Sequence, residues 1–94
     1  MKSSATVRFL NKDEGGRITP PLPGYKPQIK LEGVFTSCFI TPKDPTLTIM
    51  RFGIDLDVFI ELQYEDLYLQ HIKKGMEVYL YEGSRLIGLG HIAD

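Results

Sequence analysis

The sequence has one cysteine, no tryptophan and no long apolar run among its 94 residues. A lone Cys38 excludes a disulfide within the chain and the zinc patterns that need several cysteines. No apolar segment approaches the roughly 20 residues of a membrane-spanning helix, and the first residues lack the apolar stretch of a signal peptide. We therefore expect a single cytoplasmic domain over residues 1–94, without membrane contact and with Cys38 as a small core residue.

Residues that carry catalytic or nucleotide chemistry are also scarce. The run NKDE at residues 11–14 matches the guanine-specificity motif Asn-Lys-x-Asp except at Glu14, and the chain contains no P-loop of the form GxxxxGK[ST]. Two histidines, His71 and His91, are the only imidazoles, and neither has a second ligand at helical spacing. The sequence therefore predicts no enzyme activity, no GTP binding, no metal and no cofactor.

Charge is balanced overall but divided unevenly along the chain. The net charge is −1, which provides no general attraction to nucleic acid or membranes. Residues 1–51 hold eight basic and four acidic side chains, a balance of +4, whereas residues 52–94 hold three basic and eight acidic ones, a balance of −5. The acidic half should repel phosphates.

Alternation of apolar and polar residues with period two predicts strands. It favours strands at 5–10 and 54–64, where Ile54 begins the apolar face, and a hairpin formed by MEVYLY, the turn EGSR and LIGLGHIA. LTIMRF at 47–52 is interpreted as another strand. In QIKLEGVFTSCFIT the alternation changes phase at Gly33, which indicates a bulge or a strand bend there. Residues 64–75 fit one or two helical turns or an irregular connection.

Five to seven short strands without a long helix predict a small all-β barrel or sandwich. Phe59, Tyr79 and Tyr81 fall on the outward side of their predicted strands. Outward aromatic side chains can stack on bases, anchor a protein interface or lie under a loop. The alternation itself leaves these three roles open, and the acidic surroundings favour protein contact or a covering loop.

Two motifs resemble one protein family. EGGRITPPLPGYKPQ, residues 14–28, resembles EGGRxTPxxxGYRPQ, which opens the C-terminal β-barrel, domain three, of bacterial elongation factor Tu. YEGSRLIGLG, residues 81–90, is similar to REGGRTVGAG near the end of that domain. The motifs occur in the family's order, VRFL precedes the first, and the resemblance covers roughly residues 5–93. It implies a six-stranded antiparallel Greek-key barrel without the GTPase domain.

The resemblance also implies positions for binding. In the family this barrel packs on the GTPase domain, meets the nucleotide exchange factor and contacts the T-stem backbone of aminoacyl-tRNA. Matched by position, the RNA-facing residues are Gln28, Ser37, Glu82 and Gly83. The residues matched to the protein interface are Gly15, Arg17, Tyr79 and Tyr81. The chain departs from the family at Ser37, where the family has Thr, at Tyr79, where it has Ala, and at Tyr81, where it has Arg.

Three hypotheses follow for function. The first is a stand-alone, non-catalytic module that binds a protein, with partners connected to translation. The second is a tRNA-binding or other RNA-binding fragment that keeps the T-stem-facing surface. The third is a mimic or antagonist of the interactions of elongation factor Tu.

Overall fold

The computed structural model describes residues 2–31, 33–63 and 72–93. Regular structure in these residues consists of six strands and one short 3₁₀ helix at Lys12–Glu14. The strands are β1 Lys2–Phe9, β2 Gln28–Leu31, β3 Val34–Pro42, β4 Leu56–Leu62, β5 Glu77–Glu82 and β6 Arg85–Ile92. No helix in this part of the chain is long and apolar enough to cross a membrane.

The six strands close into a barrel in the order β1-β4-β3-β2-β5-β6, and every neighbouring pair is antiparallel. The order β5-β2-β3-β4 places β5 beside the first strand of a three-strand meander, which is the Greek-key arrangement. Closure gives every strand two neighbours and removes exposed edges. The prediction of an all-β, six-stranded antiparallel Greek-key barrel is therefore confirmed.

Every second side chain of a strand points into the barrel interior and fills it. Leu56, Val58, Ile60 and Leu62 of β4 are all buried, as the sequence predicts. The prediction for Ile54 is wrong, because this side chain is exposed and precedes β4. Gly53 directly before it adopts a positive φ of 74°, so the chain is still turning at this point and alternation has not begun.

The predicted strand LTIMRF is also wrong. Residues 47–52 belong to the long loop between β3 and β4, where Phe52 forms a single isolated bridge with Phe9. β1 already pairs with β4 and β6, so the closed ring offers no place for another strand. Met50 is nevertheless fully buried, and its backbone N–H donates to the Pro21 carbonyl at 2.9 Å. Met50 therefore contributes to the core from a loop, whereas Leu47 and Ile49 of the same segment are exposed.

The change of phase at Gly33 marks a hairpin between two strands. Leu31 at the end of β2 pairs with Val34 at the start of β3, and Gly33 has a positive φ of 85°. The bulge lies in the last hairpin instead. There the register shifts between Leu80 and Tyr81, which face Gly88 and Leu86, so that Ile87 is the additional residue.

Two further sequence predictions fall on the connection between β4 and β5. For residues 64–75, the sequence is compatible with helical turns and with an irregular connection. Residues 64–71 of this region, including His71, lie outside the described residues. Within the described part, Ile72 and Met76 are partly buried against the core. Gly75 donates its N–H to the Ile92 carbonyl at 2.7 Å, which ties the start of β5 to the end of β6.

Two long loops and one tight turn lie at one end of the barrel, here named the loop end. Because the strands alternate in direction, β1, β3 and β5 finish at this end and β2, β4 and β6 begin there. It therefore carries the residues between these strands, 10–27, 43–55 and 83–84. The first two of these loops contain most of the exposed aliphatic side chains described below.

Candidate functional site

The motif NKDE forms a local cap. Asn11 is the N-cap of the 3₁₀ helix: its side-chain oxygen accepts from the Glu14 N–H at 3.0 Å, and its own N–H donates to the Glu14 carboxylate at 3.2 Å. This reciprocal pair is a capping box. Gly15 ends the turn with a left-handed backbone, φ 85°. Glu14, the position that departs from the guanine motif, thus has a structural role here.

Gly16 allows the first loop to fold back against the end of β1. A Cβ atom at this position would lie 2.0 Å from the Leu10 carbonyl oxygen, so only glycine fits without movement of the backbone. The Gly16 N–H donates to the Asn11 carbonyl at 2.7 Å, and the Arg17 N–H donates to the Leu10 carbonyl at 3.1 Å. This fold delivers Arg17 to the rim of the barrel.

Arg17, Tyr25 and Glu82 form a group that we call the rim cluster. Arg17 Nη1 and the Tyr25 hydroxyl both donate to Oε2 of Glu82, and Arg17 forms an ion pair with that carboxylate. The guanidinium carbon Cζ also lies 4.7 Å from the centroid of the Tyr25 ring, which is a cation–π contact. Nε of Arg17 donates to the Thr19 carbonyl at 3.0 Å. The cluster thereby joins the first motif to the second across 65 residues of sequence.

The environment keeps Tyr25 in its neutral, donating form. Burial is the largest cause that raises the pKa of Tyr25, and the hydrogen bond to Glu82 raises it further, while Arg17 acts in the opposite direction. The Tyr25 ring packs edge-on against the buried Phe9, with ring centroids 6.1 Å apart. The cluster therefore connects the loop end to the hydrophobic core.

We expect Glu82→Ala to lower the free energy of unfolding by about 1–2 kcal/mol, because Arg17 and Tyr25 lose a shared charged acceptor in a partly buried setting. Urea denaturation monitored by circular dichroism measures the change. Glu77→Ala is the matched control, since Glu77 is exposed and accepts one hydrogen bond, from Tyr79 at 2.8 Å. Equal losses in the two variants would contradict a structural role for the cluster.

The residues matched to the RNA-facing surface are brought together in part. Gln28 on β2 pairs with Ser37 on β3 and with Tyr81 on β5, so these three lie in one row across the outer face. Gly83 lies in the exposed turn between β5 and β6 with φ 62°. The Glu82 carboxylate instead points to the rim cluster and is occupied there by two donors.

The residues matched to the protein interface lie on two surfaces. Gly15 is exposed at the loop end, and Arg17 is half-buried in the rim cluster. Tyr79 and Tyr81 lie on the outer face of β5, as the alternation predicts. Tyr81 packs edge-on against Phe35 with ring centroids 5.3 Å apart. The two tyrosines are thus part of a sheet surface, separate from Gly15.

Sequence reasoning missed an apolar surface at the loop end. We call it the apolar loop surface; its residues are Ile18 and Leu22 in the first loop and Leu47 and Ile49 in the second. Ile18 and Leu22 are 74% and 62% exposed. The Met50 N–H donates to the Pro21 carbonyl and so joins the two loops. Leu22 follows Pro21 and Ile49 precedes Met50, so both residues lie next to this hydrogen bond. Their signal in the sequence is apolar residues among prolines and threonines, and in the second loop the alternation of Leu47 and Ile49 with threonine is what suggested a strand.

A second missed feature is a set of cation–π pairs on the outer face of β4 and β3, here named the lysine–phenylalanine face. The ammonium groups of Lys2 and Lys43 lie 5.6 and 5.4 Å from the ring centroid of Phe59. Lys26 lies 5.3 Å from that of Phe39, and Lys30 lies 5.6 Å from that of Phe35. Phe59 was expected to point outward, and it does, half-buried on β4.

Among the residues that the structure describes, no three His, Cys, Asp or Glu side chains lie close enough together to hold a metal ion. His91 is exposed on β6. Cys38 is buried, as the sequence predicts, and burial raises the pKa of its thiol to about 12, so it stays protonated at neutral pH. In a comparison with models of known protein families, the chain matches none.

Proposed function

We propose that this chain is a non-catalytic binding module, similar in kind to the C-terminal barrel of elongation factor Tu, and that it binds a protein through the apolar loop surface. The observation that carries the proposal is that two loops joined by a backbone hydrogen bond next to Leu22 and Ile49 both carry exposed aliphatic side chains, since exposed apolar groups close together commonly mark interaction sites. A partner that covers these side chains would remove them from water.

The loops that carry this surface are held in place by contacts within the barrel. The first loop is held by the rim cluster and by the backbone bonds of Gly16 and Arg17 to β1. The second is held by the buried Met50 and by the bond from Gly53 N–H to the Phe9 carbonyl at 3.0 Å. Preorganised loops lose little conformational freedom on binding, which favours affinity.

The proposed relation to the translation factor is supported by the way its two motifs meet. Arg17 and Tyr25 come from the first motif and Glu82 from the second, and they share one carboxylate oxygen. This contact gives a physical reason for the two motifs to occur together in one chain. We propose partners among the proteins of translation on this basis.

We expect Ile49→Glu and Leu22→Glu each to weaken binding of the protein partner at least tenfold, because a carboxylate would be buried in an apolar interface. Partners are recovered under native conditions from an extract of the source cells and identified by mass spectrometry. The affinity of each purified partner is then measured by calorimetry for the unaltered chain and for both variants.

Ile54→Glu is the matched control. Ile54 is in the same loop as Ile49 and has a similar exposure, 47% against 44%. Its neighbour Asp55 lines a separate cleft with Thr6, Arg8 and His91. Equal affinities for all three variants would contradict the proposed surface, and recovery of tRNA without any protein would contradict the proposed function.

A further inference from the structure

Three phenylalanines are arranged in a line on the lysine–phenylalanine face. Phe35 and Phe39 are four residues apart on β3 and both point outward, so their side chains are separated by about 13 Å. Phe59 on β4 pairs with Thr41 while Phe39 pairs with Glu61, which makes Phe39 and Phe59 diagonal neighbours about 7 Å apart. Phe35 and Phe39 are 48% and 39% exposed.

Each of these rings has at least one lysine ammonium beside it, within 5.6 Å of its centroid. The four lysines come from different parts of the chain: Lys2 from β1, Lys26 from the segment before β2, Lys30 from β2 and Lys43 from the residue after β3. Two carboxylates lie among them on β4. Glu61 pairs in register with Lys2, and Asp57 accepts a hydrogen bond from the Thr6 hydroxyl at 3.4 Å.

The face therefore has an excess of positive charge although the chain carries a net charge of −1. Proteins that bind single-stranded nucleic acid combine cationic groups that track the backbone with aromatic rings on which bases stack. The repeated pairing of one ring with one or two ammonium groups provides both contacts at three successive places. An acidic peptide would satisfy the lysines but would leave the rings without a stacking partner.

We propose that the lysine–phenylalanine face binds single-stranded nucleic acid. Phosphates attract the ammonium groups away from the rings, and bases stack on the aromatic surface that is thereby uncovered. The three rings span a length suited to a short site, at the lower end of the roughly 4–16 nucleotides that one small barrel covers. The proposal does not depend on the protein interface at the loop end, because the two surfaces share no residue.

Fluorescence anisotropy with a fluorescein-labelled twelve-nucleotide oligouridine tests the proposal. We expect saturable binding at about 50 mM salt and a weakening of up to roughly 50-fold between about 50 and 200 mM, because up to four phosphates release counterions on contact with the lysines. Absence of binding at the lower salt concentration would overturn the proposal.

Variants separate stacking from general attraction of polyanions. Phe35→Ala and Phe39→Ala should each weaken binding roughly tenfold, whereas Ile54→Ala, which truncates an exposed apolar side chain elsewhere, should leave it unchanged. Lys30→Glu should weaken binding more than Lys74→Glu, which makes the same charge change at an exposed position outside the face. Urea denaturation checks that each variant is folded.

Competition with unlabelled polymers completes the test. Oligothymidine of the same length should displace the labelled strand, while a blunt-ended RNA duplex and polyglutamate should displace it poorly, since neither offers unpaired bases. Full affinity in the two phenylalanine variants, or equal displacement by polyglutamate, would overturn the proposal in favour of a general polyanion surface or an acidic protein partner.

Discussion

Gly90→Ala should lower the free energy of unfolding by about 3 kcal/mol or more, or prevent folding altogether. Gly90 lies on β6 opposite Val7 of β1 and Val78 of β5. A Cβ atom at this position would lie 2.0 Å from the Thr6 carbonyl oxygen and 2.8 Å from Val7 Cα. Both neighbours are backbone atoms, so the clash can be relieved only if β1 moves away from β6 and the barrel opens.

Gly88→Ala is the control for this prediction, because the added methyl group meets mainly side chains. Its Cβ would lie 3.1 Å from Phe9 Cδ1 and 3.2 Å from Leu80 Cδ1, and these side chains can shift by a few tenths of an ångström. We expect a loss of about 1 kcal/mol. Urea denaturation measures both variants, and near-ultraviolet circular dichroism shows whether Gly90→Ala has lost its packed core. Equal losses would contradict a backbone clash.

Raising the pH above 9 should destabilise the barrel through Cys38. The thiol has an ordinary pKa of 9.0, which burial raises to about 12 in the folded protein. Above pH 9 the unfolded chain releases this proton while the folded chain retains it, so the folded state loses stability as pH rises. The expected decrease in the free energy of unfolding is about 1.4 kcal/mol per pH unit, or about 4 kcal/mol by pH 12. That is a large share of the stability of a small domain.

Cys38→Ala isolates this effect. The variant should be less stable than the unaltered chain at pH 8, because it leaves a small cavity, but its stability should fall clearly less between pH 9 and 10. Above pH 10 Tyr25 adds a similar loss in both proteins, since burial and Glu82 raise the pKa of its hydroxyl. Urea midpoints at pH 8, 9, 10 and 11 give the comparison. An identical decline from pH 9 to 10 in the two proteins would contradict a role for the thiol.

The strand pattern could be predicted where a strand has one buried and one exposed face. β4 is the clearest case, since its alternation appears directly in Leu56, Val58, Ile60 and Leu62. The pattern failed at LTIMRF, because Met50 is buried from a loop and a loop residue imposes no alternation on its neighbours. Burial from loops depends on which loops meet, and that is decided by the closed barrel.

The side-chain contacts within the candidate surfaces were harder to predict from the sequence than the strands. Parity places Phe59 outward, but the approach of Lys2 and Lys43 to it follows from the register of β1 and β3 against β4. Register is set by packing between neighbouring strands, and this packing cannot be predicted from a single sequence. In the same way, Arg17 and Glu82 were each singled out, for different roles, and only the folded chain brings their side chains together.

The position of β1 in the ring has a consequence for the order of folding during synthesis. β1 leaves the ribosome before the other strands, yet its two neighbours are β4 and β6. It therefore has no partner until residues 56–62 have emerged, and its second side stays open until 85–92 follow. Contacts so distant in sequence slow folding. Until β6 follows, the partly synthesised barrel thus exposes an unpaired strand edge, which favours aggregation, and the last hairpin closes the ring and completes the core.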